Sequence, residues 1–508
     1  MGIFQRLFGR AEPKQQQRRP AMIVMRGFDA AKGDRLKSTW AVSGTSTDDD
    51  VYRGAEVVRR RARDHALNNT TAKKFLNMVS TNVVGPNGFR LQSLVADPTG
   101  TPDNLARKAI EDAFSRWSTR AGGCDVTGRR SFGDICRTLI RVAARDGEFL
   151  VRKVRGKQAG EFGFSLQLLA IDRLDIQLNK QLSGGSIIKM GVELNTYGKP
   201  VAYHVRQSNP VENSWVSSDG QRYERIPAED IYHGFVTDDT EQTRGYSWMH
   251  AALVDTENLG GFKEAAIIAA RVGASKMGFF TSPDGDAAPL ADGIDDGGFF
   301  TEADPGQFGV LPPGYEFQSW NPDYPNTNFD PFVKACLRSI AAGLGVSYNS
   351  LSNDLENVNF SSIRSGVLEE RDFWMTLQSW FIDAFLEDVF SEWLRMALLS
   401  GAIVLPNGAT LPASKYDKFR AATWQGRRWQ WVDPRADADA NISLVNAALK
   451  SRRDVISEMG GDIDDTLAQI AQEQSDIERL KIQLGDPVAH AQINAQQAMA
   501  QQNQDASK

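Results

Sequence analysis

The side chains best suited to touching a ligand lie close together between positions 349 and 364. Asn349, Asn353, Asn357 and Asn359 offer amides that donate and accept hydrogen bonds without fixed charge, and Asp354 and Glu356 add two carboxylates among them. From Asn353 to Gly366 the chain reads NDLENVNFSSIRSG. Phe360 and Arg364 fall in this stretch, which then runs into an aromatic-rich helical pattern carrying Trp374 and Phe381. A catalytic loop, a partner-binding loop and a plain connector all fit these residues.

Other chemistry-bearing patterns are scarce. The five histidines, His65, His204, His233, His250 and His490, form no HxxxH or HExxH pair that would put two metal ligands on one helical face. Cys124, Cys136 and Cys336 lie too far apart for CxxC spacing, and their odd number argues against a disulfide framework and for a reducing compartment. KGDRLKST approaches a phosphate loop but lacks the glycine before the lysine and the preceding strand. There is no GxSxG elbow. With 64 acidic residues, a catalytic carboxylate pair cannot be picked out; Asp304, Asp323 and Asp330 fit turn initiation better. No metal and no cofactor are expected.

A balance of 58 basic against 64 acidic residues, net −6, excludes a protein that grips nucleic acid over its whole surface. Any DNA contact must be local or weak. The 508 residues suffice for two to four domains. MGIFQRLFGR is too short in its apolar run for a signal peptide, and Arg6 stands where a myristoylation signal needs serine or threonine. It reads as a mobile basic arm, with a plain disordered terminus as the alternative.

The elements that must position the polar stretch follow from periodicity. Val57 to Val79 recur at helical intervals, with Arg59, Arg60 and Arg61 near the start; that triplet either touches nucleic acid or faces water. Gly85, Pro86 and Gly88 end the helix. A helix is predicted over Phe132 to Arg145, strands at GEFLVRKV and FSLQLLAI, and a strand pair in GVELNTYGKPVAYHV turning at Tyr197 to Lys199. Short turns between them predict antiparallel pairing. Helices over 251–277 and 332–344 flank a Gly-, Pro- and Asp-rich unit of short strands. From Ile363 to Met396 apolar residues recur every three or four positions, with Phe373, Trp380 and Phe390 off the stripe, so this helix is buried between neighbouring elements or between subunits. Its charges leave no uncharged run long enough to cross a membrane. Helical segments follow, and beyond Gly485 the Gln- and Ala-rich chain predicts disorder.

NVNFSSIRSGVLEERDFW resembles the hallmark segment of lambda-type phage portal proteins. RARDHALNNTTAKKFLNMVSTNVVGPNG, RVAARDGEFLVRKV, LQLLAIDRLD, GVELNTYGKPVAYHV, EQTRGYSWMH and RWQWVDP resemble that family's segments in the same order, between about Arg59 and about Ile477. The family often carries tyrosine where Phe360 stands.

That resemblance implies an α+β ring subunit and no enzymatic activity. The implied parts are a mobile arm (1–50), a β-rich wing (51–250) completed by a long helix (361–400), a stem of two helices (251–280 and 328–345), a clip (281–327), a channel loop (346–360), a crown (401–484) and a disordered tail (485–508). It further implies a homo-oligomeric ring, usually of twelve copies, at one capsid vertex of a virion assembled in the host cytoplasm. Double-stranded DNA passes through such a ring without sequence specificity. The implied partners are the terminase large subunit, head-completion or adaptor proteins, and major capsid and scaffold proteins. In a ring, loops from every copy converge, so Asn349, Asn353, Asn357 and Asn359 would form belts that meet phosphates without trapping them, and Asp354 and Glu356 would repel DNA. Phe360, Arg364, Trp374 and Phe381 would hold the loop's root or pack subunits. Two other classes stay open: a nucleic-acid-processing enzyme, which would need a divalent-metal carboxylate cluster not visible here, and a non-viral or minor capsid component with a portal-like fold.

Overall fold

At the start of α1 (Thr47–Asn68), Asp48, Asp49 and Asp50 place negative charge at the positive end of the helix. The computed structural model describes residues 44–207, 223–274, 278–281, 316–319, 328–356, 360–429 and 434–480. The helical run expected from Val57 to Val79 is two helices. Asn69 takes an extended conformation and its side chain accepts from the backbone N–H groups of Thr71 and Ala72, so it ends α1 and caps α2 (Thr70–Val79). A π-turn at Ser80–Val84 follows, then β1 (Arg90–Ser93) and α3 (Asn104–Ser118).

α4 (Phe132–Asp146) is held by a capping box between Ser131 and Asp134 and buries Phe132, Ile135, Cys136, Leu139, Ile140 and Ala143 along one side. Gly147 ends it at φ +96, and a Cβ there would lie 2.3 Å from the backbone of Tyr246, so only glycine fits. The chain then enters β2 (Glu148–Arg155), β3 (Phe164–Leu169), β4 (Lys180–Gln181), β5 (Ile187–Lys189), β6 (Val192–Leu194), β7 (Pro200–Arg206), β8 (Tyr223–Pro227) and β9 (Ile231–Phe235). These strands form a three-stranded sheet in the order β3-β2-β9 and a five-stranded sheet in the order β4-β5-β6-β7-β8. Every ladder among these strands is antiparallel, as the short turns predict.

α5 (Leu253–Ala274) leads to a two-stranded ladder of β10 (Gly278–Thr281) with β11 (Glu316–Ser319), and α6 (Phe329–Gly343) returns beside α5. Most of the turn-rich unit between them lies outside the described residues. After the short α7 (Tyr348–Ser352), α8 (Phe360–Phe381) and α9 (Glu387–Leu399) form the long aromatic helix, joined through a π-turn at Ile382–Leu386.

This helix is enclosed largely by its own chain, the first of the two burials expected. Phe385 packs against Phe132, Phe149 and Tyr232, and Trp393 against Phe114 and Trp117. Its off-stripe residues are covered too: Phe390 meets Phe114 and Trp424, and the Trp380 indole donates to the Phe235 carbonyl. Its aromatic content therefore does not itself require a second subunit.

Beyond α9, α10 (Tyr416–Phe419) and β12 (Ala422–Gln425) lead into α11 (Pro434–Asn446), α12 (Arg452–Glu458) and α13 (Ile463–Leu480). β12 pairs with β1, and Ile403, Leu411, Phe419 and Trp424 join the main core. Residues 401–425, grouped with the crown in the sequence reading, thus lie in the body. α11, α12 and α13 bury no residue and join the body through polar contacts, among them Arg364 with Asp437 and Arg90 with Asp465. Residues 1–43 and 481–508 lie outside the described residues. Among the described residues no helix is long and apolar enough to cross a membrane.

Candidate functional site

The polar stretch starts from a fixed root. Ser347 caps α7 by accepting from the Ser350 N–H, and its hydroxyl donates to Glu370 at 2.7 Å. The other oxygen of Glu370 accepts from the Trp374 indole at 3.1 Å. Trp374 and Phe381 are buried in the main core, and Leu351 is buried beneath α7. One carboxylate thus ties the loop to a side chain that cannot move without opening the core.

At the tip the contacts change character. Asn353 is one of three non-glycine residues with positive φ among the described residues, a conformation asparagine tolerates. Its amide oxygen accepts from the Lys74 ammonium of α2 at 2.9 Å. Asp354 accepts from the Tyr348 hydroxyl at 2.6 Å and from the Glu356 N–H at 3.0 Å, and these bonds, with lesser help from Lys334, hold its carboxyl below the usual range. Lys334 of α6 reaches Asp330 at 2.9 Å, Glu356 at 3.1 Å and Asp354 at 3.7 Å. Hydrogen bonds to Asp330 first and Glu356 second raise its pKa. Leu355, between the two acids, is exposed.

Asn349 is half-buried in α7. Asn357, Asn359 and the Phe360 side chain lie outside what is described. Arg364 pairs with Asp437 of α11 at 3.1 Å, linking the start of α8 to the C-terminal helices. The structure therefore brings Asn353, Asp354 and Glu356 together with two lysines the sequence reading did not single out. It also modifies one expectation, since Asp354 and Glu356 are ion-paired to Lys334 and do not stand as free negative charges.

A buried cluster of charge went unread in the sequence, although one member, Arg59, was noted there. Glu148, fully buried at the start of β2, accepts from Arg59 at 2.7 Å, from Arg244 at 2.6 and 2.8 Å and from the Gly245 N–H at 3.1 Å, and shares a 2.8 Å hydrogen bond with His233. Burial pushes its carboxyl up, but Arg244 and His233 outweigh burial and hold it well below the ordinary range. Burial likewise lowers His233 despite Glu148 beside it. One turn on, Arg63 binds Asp146 and Asp172, and Arg145 binds Asp146. Arg60 and Arg61 are exposed as expected, whereas Arg59 is buried. A signal existed: Arg59 sits four residues from Ala55 and three from Ala62, on the apolar side of α1. Among the described residues no group of three or more His, Cys, Asp or Glu is placed to hold a metal ion.

The model of a family described as "Phage portal protein, lambda family" matches residues 33–378, from before α1 into α8. The "Probable portal protein" of Halomonas phage phiHAP-1 is 36% identical over 502 residues, covering 96% of this chain and 94% of that one. "Portal protein B" of Escherichia phage lambda is 22% identical over 482 residues, covering 88% of each. Among solved structures, a chain in the neck of an empty GTA particle computed with C6 symmetry matches with 13% identity and a TM-score of 0.45, over 80% of this chain and 94% of that chain. The chain belongs to the lambda family of phage portal proteins. The buried Glu148 network and the loop fastened by Lys334 are features of a portal subunit, one inside its body and one at its surface.

Proposed function

We propose that the chain assembles into a ring of about twelve copies at one capsid vertex of a virion, first formed in the host cytoplasm. Through it, double-stranded DNA enters under a terminase and later leaves. The ring is structural and hydrolyses nothing. In this reading α5 and α6 are the stem, residues 281–327 the clip that meets the terminase large subunit and afterwards head-completion proteins, and 346–360 the channel loop. The body contacts major capsid and scaffold proteins.

The observation that supports assembly most directly is the bareness of the α5–α6 pair. Val254, Phe262, Ile267 and Ile268 of α5 and Phe332 of α6 are exposed, although Phe262 already stacks on Phe329 and meets Phe332. An arm apolar on its outer sides needs cover, and identical arms packed around an axis provide it. Mass photometry of the full chain should show a species of about a dozen copies. A monomer at every concentration, with no rings in micrographs, would sink this reading.

The loop's part has a separate test. Asn353→Arg with Asn357→Arg adds two cations per copy to a belt that the ring multiplies, and on the order of ten neutralised phosphates change DNA binding by roughly 10³–10⁵ over a modest salt range. Rings should form normally, while packaging at low salt slows or stalls and recovers partly at higher salt. Packaging at the unaltered rate at low salt would show that these residues do not face DNA.

A further inference from the structure

Two charged faces on the body are left over by the fold, and they are of opposite sign. Along α8 and α9, Glu369, Asp372, Thr376, Ser379, Asp383 and Glu387 recur every three or four residues and all are exposed, with Asp388 exposed beside them. The carboxylates of Glu369, Asp372, Asp383, Glu387 and Asp388 make no ion pair or hydrogen bond with any described residue. Lys153 feels the charge of Asp388 but lies over the Tyr232 ring at 4.1 Å and forms no ion pair with that carboxylate. Helix faces of one sign repel themselves, and among the described residues no cation forms an ion pair with these carboxylates.

The basic face runs along α4 and α2. Arg137, Arg141 and Arg145 stand one turn apart and, with Arg130, line a surface hollow of about 290 Å³ that also takes in Ser80 and Thr138. Arg130, Arg137 and Arg145 have Asp125, Asp134 and Asp146 as carboxylate partners. Among the described residues the Arg141 side chain has only the neutral amide of Asn77 as a hydrogen-bond partner, at 2.6 Å, and burial followed by the charge of Arg145 lowers its pKa. Lys73, one turn before Asn77 on α2, and Arg129 are exposed, and their side chains form no hydrogen bond or ion pair with a described residue. The face is therefore positive beyond what its own acids balance.

The two faces are turned away from each other. α4 and the α8–α9 helix meet through their apolar sides, where Phe132 stacks on Phe385 at 6.3 Å, so their charged sides look outward on opposite flanks of one core. Two different patches on opposite flanks are what a head-to-tail contact requires, and such contacts close into rings when the rotation allows. We infer that consecutive copies of this chain join body to body, the arginine face of α4 and α2 in one copy lying against the acidic stripe of α8 and α9 in the next. This rests on the ring reading above and names the surface and partner it uses. Apolar stem packing supplies most of the adhesion, while complementary charge sets which flank meets which and speeds encounter. DNA is the less suitable occupant of the basic face, since Asp125, Asp134 and Asp146 within that face repel phosphates.

The test uses charge reversal at positions without carboxylate or cationic partners, so that folding is spared. Lys73→Glu with Arg141→Glu makes a chain acidic on both flanks; Asp383→Lys with Glu387→Lys makes one basic at both. Each alone should melt like the unaltered chain but give about tenfold less ring at about 0.05 M salt. An equimolar mixture of the two, or one chain carrying all four substitutions, should recover rings. If each double variant assembles as well as the unaltered chain, or if neither the mixture nor the fourfold chain recovers, the interface is elsewhere and the ring reading stands without it. If the Lys73→Glu, Arg141→Glu chain forms rings normally but no longer retains a DNA duplex, the basic face binds nucleic acid and the inference falls. An unaltered chain that forms no ring removes both.

Discussion

The Glu148 network and the Lys334 cluster are built from the same materials, one residue of one sign shared among several of the other, yet one is sealed and the other wet. Glu148 and Arg244 have no exposed side-chain surface, whereas the Glu356 side chain that Lys334 holds is 74% exposed. The difference lies in the cost of separation. A buried carboxylate that loses its cations has no water to turn to, so the network has one arrangement. A half-buried lysine whose main partners, Asp330 and Glu356, are exposed exchanges one carboxylate for another, or for water, at little cost. The first pins α1, α4 and β2 to the 244–245 turn, and the second fastens a loop to a helix in a way that permits release.

The sharpest way to break this comparison is to remove the shared residue of the sealed cluster. Glu148→Ala leaves Arg59, Arg244 and His233 facing one another without compensation and should destabilise the chain by about 3–5 kcal/mol. Thermal or urea unfolding checks it. A loss below about 1 kcal/mol would mean that water reaches the cluster and that the two regions do not differ in kind.

Acid should reveal the same contrast with a smaller effect. His233 has its pKa lowered by burial, so as pH falls below the ordinary histidine value of about 6.5 the unfolded chain takes up a proton that the native chain refuses. The unfolded state then binds more protons, and stability declines with falling pH. Glu148, also lowered, adds a second decline below the ordinary carboxylate range, because its stabilisation is complete above its unfolded pKa and is lost as pH falls through its folded one. His233→Gln keeps a hydrogen-bond donor without the titration. It should flatten the melting-temperature profile between about pH 6.5 and 5 and leave the lower decline. An unchanged profile would remove His233 from the account.

How far each region could be read from sequence follows the same division. α4 and β2 were legible because their patterns are local: apolar residues at helical spacing behind a serine cap, then β-formers after a glycine. The break at Asn69 was hidden by the apolar period running through it, although asparagine before Thr-Thr is a capping signal. The pairing of β1 with β12 joins Arg90 to Gln425, and no local pattern reports a contact across such a separation. In the loop, asparagines and acids were visible as polar composition. Their partners were not, since Lys74 lies 279 residues from Asn353 and Lys334 looks like any solvated helix lysine. Arg59 was misplaced because a run of three arginines suggests one environment, while a helix turns each toward a different one.

Releasing the exposed cluster should do least to stability. Lys334→Met keeps the length and apolar stem of the side chain but removes the charge that Asp330, Asp354 and Glu356 share. Asp330 and Glu356 stand largely in water and Asp354 keeps its bond from Tyr348, so the repulsion among the three is screened and the unfolding midpoint should move little. What should change is the loop. Tyr348 still donates to Asp354 and Ser347 still holds Glu370, so the root up to α7 stays in place. Only the segment from Asp354 to Glu356 loses its tie to α6. Amide hydrogen exchange should therefore quicken at 354–356 and remain as in the unaltered chain at 347–352. Equal exchange in both variants would mean that α7 alone fixes the tip. Faster exchange through Trp374 would mean that Lys334 supports the body, and the contrast between sealed and releasable charge would not hold.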